Sequence, residues 1–302
     1  MNRTAIVTVL LGSVLFDSLP GQAPAGDAKA AKADSIGDLV VAMRAAEAKL
    51  RSVTMTMSTR GRLPGGEEVT TRGSLRVLRG EQPATHTRFE YSFGSGVRGR
   101  SEMVQSAAGI LLLEDDPAFG EVFVQIDSKT VADLEWAGEV LHRDDLPGMA
   151  PQGSGTASDR RAASPLGSSV LAAMHRQFEL VEEARTDRGG QAGRWFQGKR
   201  RAGLDAQDSE LPLADRVTLF VRTADLALLE LEQFVGDAVL QRLVVDELVV
   251  DPPLDAKTFT IDAGKQRPRP VQQVPALFES IEQAILRAEV KSPGGELRPS
   301  KR

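Results

Sequence analysis

Hydrophobic residues recur first at helical spacing and then at every second position. Between Ile36 and Leu50 the apolar side chains fall on one helical stripe, and Ser35 stands where an N-cap is expected. The stripe consists of Leu39, Val40, Met43, Ala46 and Leu50. After it, apolar and polar residues alternate, as they do on a strand with one buried face. The pattern predicts an amphipathic first helix followed by β-strands.

The alternation returns in segments that are separated by turn residues such as Pro64-Gly65-Gly66 and Gly236-Asp237. The predicted strands are Val53–Arg60, Val69–Arg79, Thr87–Phe93, Glu102–Glu114, Glu121–Asp127, Arg194–Arg201, Arg216–Thr223, Leu228–Val235 and Val239–Val250. Because strand follows strand within each half of the chain, the sheet should be antiparallel.

Two further helices are predicted outside these strands. Pro165 opens a helix that runs through Val181 and follows the long small-residue loop Gly148 to Pro165. Its apolar residues at near-helical spacing are Leu166, Val170, Met174 and Phe178. After the extended spacer Gln266 to Pro270, the segment Pro275 to Val290 predicts a last helix.

The N-terminus has the layout of a signal peptide: Arg3, an apolar run of about a dozen residues, and a cleavage site at Ala23-Pro24-Ala25. We therefore expect a signal peptide at 1–25, a linker at 26–35, one domain at 36–262, and a Pro-rich spacer, C-terminal helix and tail at 263–302. The chain contains no cysteine, so no lipidated cysteine can anchor it. The expected product is an exported, soluble, periplasmic protein.

Charge and motifs argue against several functional classes. A net charge of −5 gives no electrostatic reason to expect nucleic acid. The three histidines are isolated, and neither H-E-x-x-H nor G-x-S-x-G occurs. Gly94 to Gly99 reads G-x-G-x-x-G, but a strand rather than a helix is predicted after it, which favours a hairpin loop over a dinucleotide site. We expect no catalytic residues, metal or cofactor.

Arg79 is unusual because its parity places it on the apolar side of its strand with Leu75 and Val77. A buried guanidinium is costly unless it is paired, so such an arginine usually has a hydrogen-bonded partner. The alternative is an arginine at the strand end that bends out to solvent. The pattern leaves both readings open.

The order of these elements and several motifs resemble the LolA-like family of periplasmic outer-membrane lipoprotein carriers. Gly73 to Arg79 resembles the family's G-x-L-x-V-x-R strand, and Arg88-Phe89-Glu90 resembles its next strand. Leu254 to Ile261 is similar to its closing strand, whereas Leu112 and Glu114 stand where the family usually has aromatic residues. The resemblance implies a mostly β (α+β) fold, an unclosed antiparallel half-barrel with helices lidding its concave face. It also implies that Arg79 hydrogen-bonds the lid.

The function expected from this resemblance is a carrier that binds acyl chains of lipoproteins or other lipids. The expected ligand-binding residues are Leu75, Val77, Arg79, Phe89, Tyr91 and Phe93, and the expected lid residues are Leu166, Val170, Met174 and Phe178. The alternative for the apolar ones is an ordinary sheet core. Expected partners are the lipid and a transport component of the inner or outer membrane, with the protein a monomer. The alternative function is a periplasmic sensor or regulatory module that engages a membrane protein through its C-terminal helix.

Overall fold

The computed structural model describes residues 35–62, 66–116, 120–132, 164–202 and 214–273. The predicted signal peptide, nearly all of the linker, most of the loop from Gly148, and the helix Pro275 to Val290 lie outside these residues. Helix α1 spans Ile36–Lys49 and helix α2 spans Ser168–Gln177. Ser35 caps α1 as predicted, because its Oγ accepts a hydrogen bond from the Asp38 amide at 3.1 Å.

The described chain is mostly β, which confirms the predicted fold class. The strands are β1 (Ser52–Arg62), β2 (Glu68–Leu78), β3 (Ala84–Phe93), β4 (Arg98–Ser106), β5 (Gly109–Asp116), β6 (Gly120–Asp127), β7 (Phe178–Glu182), β8 (Asp187–Arg188), β9 (Gln191–Arg200), β10 (Arg216–Arg222), β11 (Leu228–Val235), β12 (Ala238–Val250) and β13 (Arg269–Val271).

These strands form one sheet that is not closed into a barrel. The order across it is β13-β6-β5-β4-β3-β2-β1-β12-β11-β10-β9-β7, and β8 pairs with β9 beside this path. Neighbours are antiparallel except for β13 and β6, which are parallel. Register shifts occur in β1/β12, β10/β11 and β11/β12. Such bulges increase the local twist and help an open sheet to curve.

The predicted strand Glu102–Glu114 is wrong, because the chain reverses within it. Strand β4 ends at Ser106, and β5 begins at Gly109 and pairs with it. The turn residues Ala107 and Ala108 carry no turn signal in the sequence. The turn requires a positive φ at Gly109. Its φ of +126° is accessible to glycine but strained for other residues.

The predicted helix Pro165–Val181 is too long at both ends. Leu166 lies in a turn before α2, and Phe178 is the first residue of β7. Strand β7 pairs with β9 at the sheet edge, and this pairing overrides the near-helical spacing of its apolar residues. Phe178 is therefore a buried sheet residue and not part of a helix.

The segment that resembled a closing strand, Leu254 to Ile261, contains a 3₁₀ helix at Ala256–Thr258 and no strand. It belongs to a longer connection, residues 251–271, which we call the C-terminal strap. The strap leaves β12 and ends as β13 beside β6, on the far side of β1 to β5. The sheet thus extends beyond residue 262, where the sequence placed the domain boundary.

The strap crosses the sheet on the face opposite to α1 and α2, called the outer face here. His86 shows this, because its side chain lies on that face and its Nδ1 donates to the Thr258 carbonyl at 3.0 Å. On its other side, His86 Nε2 lies 2.8 Å from Glu102 Oε1. The side chains of His86 and Glu102 are both buried, so the hydrogen bond that fixes the strap to the sheet is shielded from solvent.

The opposite, inner face carries the main core. Leu75, Val77 and Phe89 from one half of the sheet join Phe196, Leu219 and Leu231 from the other half in one buried cluster. The same cluster contains Leu39, Val40 and Met43 of α1 and Leu171 and Met174 of α2. A second cluster lies at the β6 edge and consists of Val122, Val124, Ile126, Val131 and Val271.

Gly73 provides a test of how tightly the inner face is packed, because the Phe89 ring lies directly on Gly73. A Cβ at Gly73 would be 2.3 Å from Phe89 Cδ1, so Gly73→Ala must displace the ring. We expect Gly73→Ala to lower the free energy of unfolding by about 1–3 kcal/mol in urea denaturation. Gly94→Ala is the matched control, since its Cβ would meet nothing closer than 3.7 Å. Equal stabilities of the two variants would contradict the tight contact.

Candidate ligand-binding face and helical cover

The predicted ligand-binding residues all lie on or at the end of the inner face, but they fall into two groups. Leu75, Val77 and Phe89 are buried in the cluster beneath α1 and α2. Tyr91 and Phe93 are also buried, yet they lie toward the far end of β3 and outside that cluster. Their rings make an edge contact with centroids 5.8 Å apart.

The residues predicted for the helical lid also take different places. Val170 and Met174 lie on α2, and Met174 is buried in the main cluster. Leu166 precedes the helix, and its carbonyl accepts a hydrogen bond from the Leu228 amide at 2.8 Å, which fixes this turn to β11. Leu171, which the sequence analysis did not single out, is the fully buried residue of α2.

Glu47 is the functional candidate that the sequence analysis missed. It lies in the last turn of α1, on the apolar side of the helix, and is only 6% exposed. Its Oε1 accepts hydrogen bonds from Ser164 Oγ at 2.7 Å, the Leu166 amide at 3.0 Å and the Ser168 amide at 3.2 Å. Its Oε2 accepts one from Ser168 Oγ at 2.5 Å.

These contacts make Glu47 the polar link between the two helices. A buried carboxylate is costly unless donors surround it, and here the beginning of α2 supplies them, where the helix dipole also favours negative charge. The available signal was the spacing: Glu47 follows Met43 by four residues and therefore interrupts the apolar stripe. We call α1 and α2, joined through Glu47, the helical cover.

Arg79 connects this cover to the sheet. It follows β2 directly, is half-buried, and donates from Nη1 to the main-chain carbonyl of Glu47. The reading in which Arg79 turns inward to a partner thus agrees with the structure. Within the described residues, every hydrogen bond from α1 to another element involves Glu47.

Two carboxylates interrupt the inner face between its two apolar clusters. Asp116 is buried and accepts a hydrogen bond from Tyr91 Oη at 2.6 Å. Glu114 accepts one from Ser101 Oγ at 2.5 Å. Burial raises the pKa of Glu114 to about 7; the nearby charge of Asp116 acts in the same direction, and the Ser101 hydrogen bond partly opposes it. Burial and the Asp116 hydrogen bond also raise the pKa of Tyr91.

The described residues contain no group of three or more His, Cys, Asp or Glu side chains that could hold a metal ion. Of the three histidines, His86 is held between Glu102 and Thr258, and His142 is outside the described residues. His175 has a pKa lowered by burial and by the charge of Arg201. The G-x-G-x-x-G segment forms the turn between β3 and β4, as predicted.

The raised pKa of Glu114 predicts a pH-dependent stability. Because the folded protein holds this proton up to about pH 7 and the unfolded chain only to about pH 4.5, stability falls as pH rises between these values. We expect Glu114→Gln to be more stable than the wild type by about 2 kcal/mol at pH 8, with no difference at pH 4. Glu121→Gln, at an exposed position on β6, should match the wild type at both pH values.

Thermal or urea denaturation at the two pH values measures this difference. A Glu114→Gln variant that is no more stable than the wild type at pH 8 would contradict the raised pKa of Glu114.

Comparison with known proteins gives limited results. No protein-family model matches the sequence, and no curated protein matches it. Among solved structures, MucB is similar at 12% identity and a TM-score of 0.40, over 76% of this chain and 63% of MucB, which is less than two thirds of its length. A putative outer membrane lipoprotein-sorting protein domain from Vibrio parahaemolyticus is similar at 10% identity and a TM-score of 0.29, over 74% and 95% of the two chains.

A DUF1329 family protein from Desulfovibrio piger is similar at 10% identity and a TM-score of 0.30, over 76% of this chain and 98% of that one. With such low identities and TM-scores, these likenesses carry no conclusion about ligand or partner.

Proposed function

We propose that the protein is a non-catalytic binding module that shelters acyl chains of a lipid or lipoprotein between the inner face and the helical cover. The observation that carries this proposal is that every hydrogen bond between α1 and another described element involves Glu47. We call this set of hydrogen bonds the latch. Beneath this latch lies an apolar surface formed by both halves of the sheet.

On this proposal the structure represents the ligand-free form, in which Leu75, Val77 and Phe89 are buried in one cluster with residues of both helices. An acyl chain would take the place of apolar side chains of α1, which exchanges one apolar contact for another. Each buried methylene contributes about 0.8 kcal/mol, so a long chain can replace a helix face. The remaining cost of opening is the polar latch at Glu47.

The two helices should contribute differently to opening. Helix α2 continues directly into β7, and its ends are fixed by Leu228, which donates to Leu166, and Arg201, which donates to the His175 carbonyl at 3.2 Å. Helix α1 is fixed at one end only: among the described residues its hydrogen bonds to other elements involve Glu47 in its last turn, where Arg79 donates to the main-chain carbonyl, and none involves its first turns. We therefore propose that α1 is the movable part and α2 the fixed part of the cover.

The cellular setting of this proposal follows from the N-terminal sequence. A signal peptide at 1–25 would deliver the protein to the periplasm, where a carrier of acyl chains meets a donor and an acceptor in the two membranes. None of the described helices is both long and apolar enough to cross a membrane.

Replacement of Arg79 tests the proposal. Arg79→Met removes the charged donor to the Glu47 carbonyl, so α1 should open more readily and a fluorescent fatty acid should exchange roughly tenfold faster. Hydrogen exchange of α1 should quicken as well, whereas the main thermal transition should move little, since the opening is local.

Arg267→Met is the control, because Arg267 is exposed, lies in the C-terminal strap and belongs neither to β2 nor to the helical cover. Its probe exchange should equal that of the wild type. The proposal fails if delipidated wild-type protein takes up no fatty-acid probe and the purified protein carries no lipid in mass spectrometry.

A further inference from the structure

The outer face contains an open groove of about 780 Å³ that is rich in arginine. It lies at the end of the sheet where β1, β2, β3 and β4 meet their turns. Its lining includes five arginines, two carboxylates and no lysine: Arg60, Arg72, Arg98, Arg100, Arg242, Glu90 and Asp115. This excess of positive charge contrasts with the net charge of −5 of the whole chain.

Strand register places these side chains in two rows. In the first row, Thr70 and Ser92 lie opposite each other, and their hydroxyls are 2.7 Å apart. Arg60 is the neighbour of Thr70 on one side, and Arg98 is the neighbour of Ser92 on the other. A pair of hydroxyls at the floor is therefore flanked on both sides by guanidinium groups.

The second row is one side-chain step along the strands. It places Arg72 opposite Glu90, and Glu90 opposite Arg100. Glu90 also accepts a hydrogen bond from Arg88 at 2.5 Å, so its charge is already compensated from outside the groove. Strands lie about 4.8 Å apart, which leaves Arg72 and Arg98, on β2 and β4, near enough to approach one ligand over β3.

Arg100 is paired with Glu102, and Arg242 with Glu230 and Glu232, whereas the other three arginines of the groove are available for a ligand. Arg72 and Arg98 are exposed, and neither side chain forms an ion pair or hydrogen bond with another described residue. Arg60 pairs with Glu68 at 2.7 Å, but its side chain is 68% exposed. Exposed pairs of this kind contribute little free energy, so Arg60 can exchange its partner at small cost.

We propose that this groove binds a phosphate group, through guanidinium groups of Arg72, Arg98 and Arg60 above the Thr70 and Ser92 hydroxyls. Arginine binds phosphate oxygens through two parallel hydrogen bonds, which distinguishes such a lining from a general lysine-rich surface. The groove lies on the opposite face of the sheet from the helical cover, so this site is separate from the proposed acyl-binding face. The phosphate comes from a soluble phosphorylated molecule or from lipid headgroups at a membrane surface.

The test uses the full chain and two probes. Inorganic pyrophosphate, titrated by calorimetry, represents the soluble source. Sedimentation with vesicles of phosphatidylcholine, with and without phosphatidylglycerol, represents the membrane surface. The double variant Arg72→Gln/Arg98→Gln should weaken whichever binding occurs by at least about tenfold, and added salt should weaken the wild-type binding.

The control is Arg176→Gln/Arg267→Gln, which removes the same charge from two exposed arginines outside the groove. It should bind like the wild type, and both double variants should keep the wild-type melting temperature. Arginine-dependent binding of pyrophosphate alone assigns a soluble ligand, and binding of phosphatidylglycerol vesicles alone assigns a lipid headgroup. The proposal is overturned if the wild type binds neither probe, or if the groove variant and the control lose binding equally.

Discussion

An open sheet with one aliphatic face must cover that face with other parts of the chain, since it cannot shield it by closing into a barrel. Here the cover consists of two helices that come from different parts of the sequence. Their apolar residues enter the same cluster as those of the sheet, but apolar contacts alone do not fix a helix in one orientation. Glu47 fixes the orientation of α1 relative to α2, because its buried carboxylate requires the hydrogen-bond donors at the beginning of α2.

The outer face is crossed by a single connection and not by α1 and α2. The C-terminal strap crosses it and becomes the edge strand β13, so the far end of the chain holds β6. The buried contact of His86 with Glu102 and Thr258 fixes the middle of the strap. The strap and the helical cover lie on opposite faces, but the strap begins beside the end of α1, where Asp251 accepts hydrogen bonds from the amides of Arg51 at 2.7 Å and Ser52 at 3.1 Å.

The two carboxylates of β5 limit the apolar part of the inner face. Glu114 and Asp116 separate the cluster under the helices from the cluster at the β6 edge. For the acyl-binding role that we propose, this means that Leu75, Val77 and Phe89 are the better lining residues. The Tyr91 hydroxyl donates a hydrogen bond to Asp116, so Tyr91 is less suited to line a site for an apolar ligand.

The amino-acid sequence determined the strands and the face to which each side chain points, because alternation in a half-buried strand is a local property. It placed Leu75, Val77 and Arg79 on one face and identified Ser35 as the cap of α1. It failed where pairing overrides local pattern: Phe178 joins a strand because β9 offers an edge, and the chain turns at Ala107 because Gly109 can adopt positive φ.

Only the tertiary structure decided which residues act together. Glu47 and Ser168 are 121 positions apart in the sequence, and His86 and Thr258 are 172 positions apart. No local pattern in the sequence connects the members of either pair. The arginine groove arises in the same way, since it gathers residues from six strands that the register alone brings side by side. Local patterns specify which way a side chain points, whereas the partner that it meets depends on how distant strands align.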